Sequence, residues 1–194
     1  FYFDVSQFIQ EGANTVAVKL SNKEFASRWY PGAGLYRKVS VIIKNNESID
    51  QWGQFITTPF ISDAVAKVNI KTKASGENTR LVTTIFDAEG HKVSAEESSL
   101  RFGKEFDQNL KVENPKLWSP ETPYLYKAVA QLYVGNELKD EVATRFGIRE
   151  IKYEANKGFS LNGKVTKFKG VCLHHDLGPL GAAVNKAALR RQLT

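Results

Sequence analysis

The chain has 194 residues, of which 42% are apolar and 11% aromatic, enough for a well-buried core in one large or two small domains. Its net charge of +6 comes from Lys and Arg scattered singly among Asp and Glu, without the stripe or arginine-rich tail of a nucleic-acid binder. No window approaches the roughly twenty uninterrupted apolar residues of a membrane span, and the single Cys172 excludes an internal disulfide framework. One cysteine fits either a reducing compartment or a bacterial envelope protein without bridges, so localisation stays open between cytoplasm, periplasm and exterior.

The chain opens on Phe1-Tyr2-Phe3, contains no methionine and closes inside an amphipathic run, so it reads as an excerpt of a longer protein. The first expected elements are strands. Val16, Val18 and Leu20 alternate over residues 15–20, and Val39, Val41 and Ile43 alternate over residues 36–43. The loop between them, Ser27-Arg28-Trp29-Tyr30-Pro31-Gly32-Ala33-Gly34, is too rich in Pro and Gly for a central strand.

After Trp52 the strands are closely spaced. They are expected at residues 64–72, at 80–86, from Lys92 after a turn at Asp87-Ala88-Glu89-Gly90, at 106–112 with Phe106, Gln108, Leu110 and Val112 in one phase, and at 124–134 and 140–146 around Gly135-Asn136. About seven short strands in about ninety residues predict an immunoglobulin-like β-sandwich, here without the paired cysteines of antibody domains. From Gly147 the character changes. Asn162-Gly163 signals a hairpin, residues 167–173 predict a compact buried strand, and Ala187 to Thr194 reads as a helix with Leu189 and Leu193 on one face. A strand-to-helix switch after an all-β module predicts an α/β domain entering near Ile151.

The chemistry gathers in Lys169-Gly170-Val171-Cys172-Leu173-His174-His175-Asp176, where a strand ends in titratable groups before a helix, the place where (β/α) enzymes keep their active sites. Strand alternation puts Cys172 and His174 on one face and His175 on the other. Adjacent histidines therefore diverge, which argues against a metal site of His174, His175 and Asp176, and Cys172 reads as a small buried hydrophobe rather than a nucleophile. Glu96-Glu97 and Asp140-Glu141 are neighbours in extended segments, so their carboxylates point to opposite faces and cannot converge on one bond. Trp118, Tyr124 and Tyr126, like Trp29 and Tyr30, are read as packing residues rather than sugar platforms, and His91 as an exposed turn residue without a role.

Four motifs carry a family resemblance in order along the chain: Asn114-Pro115-Lys116-Leu117-Trp118-Ser119-Pro120 through Tyr126, Phe146-Gly147-Ile148-Arg149, Phe159-Ser160-Leu161-Asn162-Gly163, and Lys169-Gly170-Val171 through Asp176. Together they resemble glycoside hydrolase family 2, and the loop from Ser27 to Arg37 resembles the end of the sugar-binding domain in its β-galactosidase-like branch. The resemblance implies a mainly β chain: residues 1–50 as the end of a jelly-roll domain, 51–148 as the immunoglobulin-like sandwich, and 149–194 as the first β/α unit of a (β/α)8, or TIM, barrel. It implies a retaining exo-glycosidase with a carbohydrate substrate, whose acid/base and nucleophile Glu residues both lie beyond Thr194, so that no catalytic residue falls in this stretch, which by itself is inactive. His174 falls on a histidine lining the sugar pocket and Asp176 on an acidic residue facing the sugar, with His175 beside them as a third substrate-binding candidate. Cys172 stands where Asn is common and His175 where Glu is common. No cofactor is expected in this stretch, since related enzymes bind magnesium or sodium through downstream residues.

Neither a nucleic acid nor a membrane is an expected partner. Unpaired edge strands at both flanks predict a homo-oligomer or segment swapping. The alternative reading is a non-catalytic sandwich module that binds glycans or a protein partner.

Overall fold

A computed structural model describes residues 1–21, 34–35, 37–172, 177, 181, 183 and 185–194. The chain is mainly β and divides into two compact units, residues 42–170 and residues 1–41 with 171–194.

The larger unit contains, in order, β1 (Ile49–Ile61), β2 (Val65–Ala74), β3 (Thr79–Phe86), β4 (Lys92–Leu100), β5 (Glu105–Glu113), β6 (Tyr126–Val134) and β7 (Glu137–Phe146), then β8 (Ile151–Glu154), β9 (Gly158–Leu161) and β10 (Lys164–Val165). An antiparallel sheet β1-β2-β5 faces an antiparallel sheet β4-β3-β6-β7, the layout of an immunoglobulin-like sandwich; β10-β9-β8 is a separate small sheet. Burial alternates strictly along β3 and β5, with every second residue turned inward, as a half-buried strand requires. Turn chemistry joins them. Gly90 has φ 91° behind Asp87, whose N–H bonds to the His91 carbonyl at 3.0 Å, and Gly135 opens the two-residue β6–β7 connection at φ 58°.

The sandwich core has an unusual layering. One apolar cluster holds Ala66, Val68, Ile70, Ile85, Leu110, Val112, Tyr126, Ala128 and Ile148. A second holds Ile49, Ala74, Leu81, Phe106, Ala130 and Leu132. Between them lies a polar belt: Thr72 of β2, Gln108 of β5 and Thr83 of β3, each 0% exposed. Thr83 Oγ1 donates to Gln108 Oε1 at 2.5 Å, and Gln108 Nε2 donates to the Leu81 and Glu96 carbonyls at 3.3 and 3.2 Å, so one side chain ties the two sheets together where antibody domains use a disulfide. Among the described residues Thr72 Oγ1 has no hydrogen-bond partner.

Both open sides of the sandwich are closed by side-chain bonds to backbone or to each other. On one side Glu96 Oε2 accepts from the Asn109 N–H at 2.8 Å, joining edge strands β4 and β5. On the other, Asp140 Oδ2 accepts from the Ile49 N–H at 2.9 Å and from Lys44 Nζ at 3.1 Å, Thr144 Oγ1 donates to Gln54 Oε1 at 2.5 Å, and Thr58 Oγ1 donates to the Arg149 carbonyl. Among the backbone groups along these sides, the Asn109 and Ile49 N–H groups are thereby satisfied within the chain.

Several expectations need correction. Residues 15–20 and 37–43 are not strands, and Val16, Val41 and Ile43 are 77%, 81% and 93% exposed. Alternation marks an amphipathic strand, but a strand exists only where a neighbour takes its backbone groups, and no described segment pairs with these. Residues 167–172 likewise form no strand among the described residues, and Cys172 is exposed there, not a buried hydrophobe. β1 was not anticipated before residue 61, because its bulges interrupt the alternation: the register shifts between Ile49 and Gln54 and again between Thr57 and Phe60. In the smaller unit the helix is present as α1 (Lys186–Leu193), begun by Asn185, whose Oδ1 accepts from the Ala187 and Ala188 N–H groups at 3.0 and 3.1 Å. A short 3-10 turn, Ser6–Phe8, is the other regular element described in that unit.

Candidate functional site

The residues singled out for sugar contact, His174, His175 and Asp176, lie outside the described residues, as do Trp29 and Tyr30. Among the described residues no three His, Cys, Asp or Glu side chains group so as to hold a metal ion. No helix is long and apolar enough to cross a membrane.

The adjacent carboxylates have separate partners. Glu96 holds the Asn109 amide, while Glu97 pairs with Arg80 at 3.1 Å; Asp140 holds the Ile49 amide, while Glu141 accepts from Gln131 Nε2 at 2.7 Å. Neither pair shares a target.

What the described structure does assemble is a joint at the exit of the sandwich, built from three of the four motifs. β7 ends at Phe146, and Gly147 then passes under Trp118 so closely that an added Cβ would lie 2.7 Å from the indole Cβ and Cγ. The Trp118 N–H donates to the Ile148 carbonyl at 2.8 Å, and fully buried Ile148 locks this crossing into the first apolar cluster. The Arg149 guanidinium sits 5.0 Å over the Trp118 ring. Asn162 then reaches back across both segments: its Nδ2 donates to the Trp118 carbonyl at 3.0 Å, its Oδ1 accepts from the Glu150 N–H at 2.9 Å, and its own N–H donates to the Glu150 carbonyl at 2.9 Å. Asn162 and Gly163 occupy the left-handed region at φ 50° and 76°, which makes the two-residue β9–β10 turn.

The arm from Asn114 to Tyr126 is held by its aromatic hydroxyls. Tyr126 Oη accepts from the Lys116 N–H at 2.9 Å, and burial pushes its phenol pKa up. Tyr124 Oη accepts from the Ala88 N–H at 3.0 Å and donates to Glu89 at 2.7 Å; its ring lies edge-on to Tyr126 at 5.1 Å and under the Lys116 ammonium at 4.7 Å. The Tyr124 hydroxyl, with the Lys116 charge 3.6 Å away, holds the Glu89 carboxyl below its ordinary pKa, and Glu89 in turn raises Lys116. Trp118, Tyr124 and Tyr126 are thus engaged in packing, not free as sugar platforms. His91 is exposed, yet its backbone N–H and ring Nδ1 lie 2.7 and 3.2 Å from the Asp87 carboxylate and help set that turn.

Tyr153 and Phe159 of the small sheet and Phe168 just after it lie in series with tilted rings, centroids 5.2 and 4.5 Å apart, lining an open cleft of about 700 Å³ with Glu154, Thr166 and Lys167.

The sequence places Asn162 in a turn and in a motif, and Gly147 in a motif, but gives neither a partner. The partners of Asn162, Glu150 and Trp118, lie 12 and 44 residues away in the chain, which hides the contact.

The profile of glycosyl hydrolases family 2 matches residues 51–149. A β-galactosidase of Bacteroides ovatus is 39% identical over all of this chain, which spans 24% of that enzyme; a β-glucuronidase of Bacteroides fragilis is 28% identical over 95% of this chain, which spans 29% of it. The crystal structure of a family 2 member from Bacteroides cellulosilyticus superposes with a TM-score of 0.77 at 36% identity, covering 86% of this chain and 23% of that one. With the sandwich topology and the motif-built joint in agreement with these matches, the chain belongs to glycosyl hydrolases family 2.

Proposed function

We propose that this chain is the non-catalytic middle of a retaining β-galactosidase-like enzyme that hydrolyses terminal β-glycosidic bonds. In this reading residues 1–50 close a jelly-roll sugar-binding domain, residues 51–148 are the sandwich, and residues 149–194 start a (β/α)8 catalytic barrel. The catalytic acid/base and nucleophile lie beyond Thr194, about 5 to 5.5 Å apart across the bond they cleave. His174 lines the sugar pocket with Asp176 and His175, donating and accepting hydrogen bonds at sugar hydroxyls, contacts most valuable where they tighten as oxocarbenium charge develops.

The observation that supports this reading is the joint. Trp118, Gly147, Arg149 and Asn162 interlock into a fixed exit from the sandwich, the construction expected of a spacer that must hold a downstream domain at a defined angle. Galactose is favoured by the Ser27 to Arg37 loop, and glucuronic acid is the competing sugar, because relatives with either activity in their names match this chain. The test is hydrolysis of an aryl β-glycoside panel by the full-length enzyme, by this 194-residue chain and by the full-length His174→Ala variant. Cleavage of the β-galactoside by the full-length enzyme, none by the short chain, and loss of turnover in the variant are expected. Turnover by the short chain refutes the placement of the carboxylates. A full-length enzyme that cleaves only the β-glucuronide corrects the sugar.

A further inference from the structure

We infer that Asn162 is a positioning residue for the glycosidase reaction: it pins the small sheet to the sandwich exit and thereby fixes where the segment bearing His174 sets out. The inference rests on the proposed function and deepens it. A left-handed turn position is satisfied by Gly or Asp as well as by Asn, so turn geometry alone does not call for an amide. What an amide adds is one donor and one acceptor, and both are used, on two different segments: the Trp118 carbonyl and the Glu150 N–H. Asp keeps only the acceptor and Gly keeps neither.

The small sheet has little else to hold it in place. β10 is two residues long, β8 and β9 four each, and Ile151, Tyr153 and Val165 are 46%, 73% and 64% exposed. Within this stretch apolar burial against the sandwich contributes little to its attitude, and Ser160 and Leu161 beside Asn162 are its buried residues. In the sequence His174 follows nine residues after Val165, the end of β10. A misplacement of about 1 Å at a reacting centre costs on the order of 10²-fold in rate, so the point from which that segment sets out matters to the chemistry.

The test uses the full-length enzyme. Asn162→Gly keeps the left-handed turn and removes both side-chain bonds; Asn162→Asp keeps the bond to the Glu150 amide. Asn156→Gly is the control: Asn156 also has a positive φ of 65° but stands exposed at the turn between β8 and β9. The readouts are kcat and KM per active site, counted with a mechanism-based inactivator, and the melting temperature. Asn162→Gly is expected to lower kcat per titrated site by about 10- to 100-fold, Asn162→Asp by less, and Asn156→Gly not at all. A merely structural role lowers the melting temperature and the number of titratable sites but leaves kcat per site unchanged, so wild-type kcat per site in Asn162→Gly overturns the inference. Should that variant fail to fold, Asn162→Asp decides by the same readout. A wild-type enzyme that cleaves no β-glycoside refutes the proposed function itself and the inference with it, a result distinct from an active wild type with an active Asn162→Gly.

Discussion

Replacing Gln108 tests whether the polar belt is a stabilising bridge or a tolerated defect. Gln108 is fully buried, accepts from Thr83 and donates to the Leu81 and Glu96 carbonyls. Gln108→Ala removes the bridge and opens a cavity between the two apolar clusters, so a loss of about 3–4 kcal/mol is expected, within the range for large-to-small core substitutions with a hydrogen-bond loss added. Gln108→Leu refills the volume but leaves the Thr83 hydroxyl buried without its acceptor, which costs about 1–3 kcal/mol. Gln108→Leu with Thr83→Val removes both polar partners, and replacing both by apolar groups of similar shape brings the loss back to within about 1 kcal/mol of wild type. The Leu81 carbonyl keeps its place in the β3 ladder in all three, and the Glu96 carbonyl its place beside β3. The assay is urea unfolding of the chain followed by indole fluorescence, with Trp118 against Gly147 as a reporter inside the sandwich. The reasoning fails if Gln108→Ala costs under about 1 kcal/mol, or if the double variant is as unstable as the alanine variant, since the loss would then come from packing and not from polar satisfaction.

Gly147→Ala places a methyl 2.7 Å from Trp118 and is expected to cost about 2–3 kcal/mol by overpacking, read as a fall in the thermal midpoint of about 5–10 °C; an unmoved midpoint would mean the crossing is looser than described. Thr72→Val removes a buried hydroxyl that has no partner among the described residues, so the urea midpoint should rise by the equivalent of about 1 kcal/mol, and a fall would reveal a partner for that hydroxyl. Glu89 is held below its ordinary pKa chiefly by the Tyr124 hydroxyl. Its depressed folded-state pKa contributes stability above the unfolded value of about 4.3, and that contribution is lost as pH falls through the folded value, so the stability gap between wild type and Glu89→Gln should close on acidification from about pH 6 to about pH 3. A gap that stays constant over that window contradicts the assignment.

The strands of the sandwich interior were legible because their period of two survives from one turn to the next. β3 and β5 alternate without interruption, and the turns at Asp87-Gly90 and Gly135-Asn136 carry residues that tolerate φ above zero. β1 was not legible for the opposite reason. Trp52 sits at φ 55° beside Gly53, whose added Cβ would lie 2.8 Å from the Asp50 and Lys73 carbonyls, and the bulge built around this pair shifts the phase of everything after it. The runs at 15–20, 37–43 and 167–172 show the limit of the method from the other direction. Alternation reports which face a strand would bury, but it carries no information on whether another strand is within 5 Å to receive its N–H and C=O groups, and a strand is made by that pairing.

For the candidate site, sequence order revealed the motifs but not that they meet. Trp118, Gly147 and Asn162 are far apart in the chain, and each has a sufficient local explanation: an aromatic after a proline loop, a glycine ending a strand, an Asn-Gly turn. Only the paired use of the Asn162 amide, one hand on Trp118 and the other on Glu150, turns three local features into one device. The physical logic follows from the absence of a disulfide. In the proposed enzyme, a sandwich that holds its neighbours at a fixed angle would need rigidity at its exit, and without a covalent staple that rigidity would come from directional bonds placed where the chain leaves. A hydrogen bond contributes only about 1 kcal/mol net to stability, so such a joint leaves little trace in a melting curve. Its effect lies in restricting orientation, where a small angular error is expensive for catalysis, and this is why kcat per active site, rather than stability, is the quantity on which Asn162 should register.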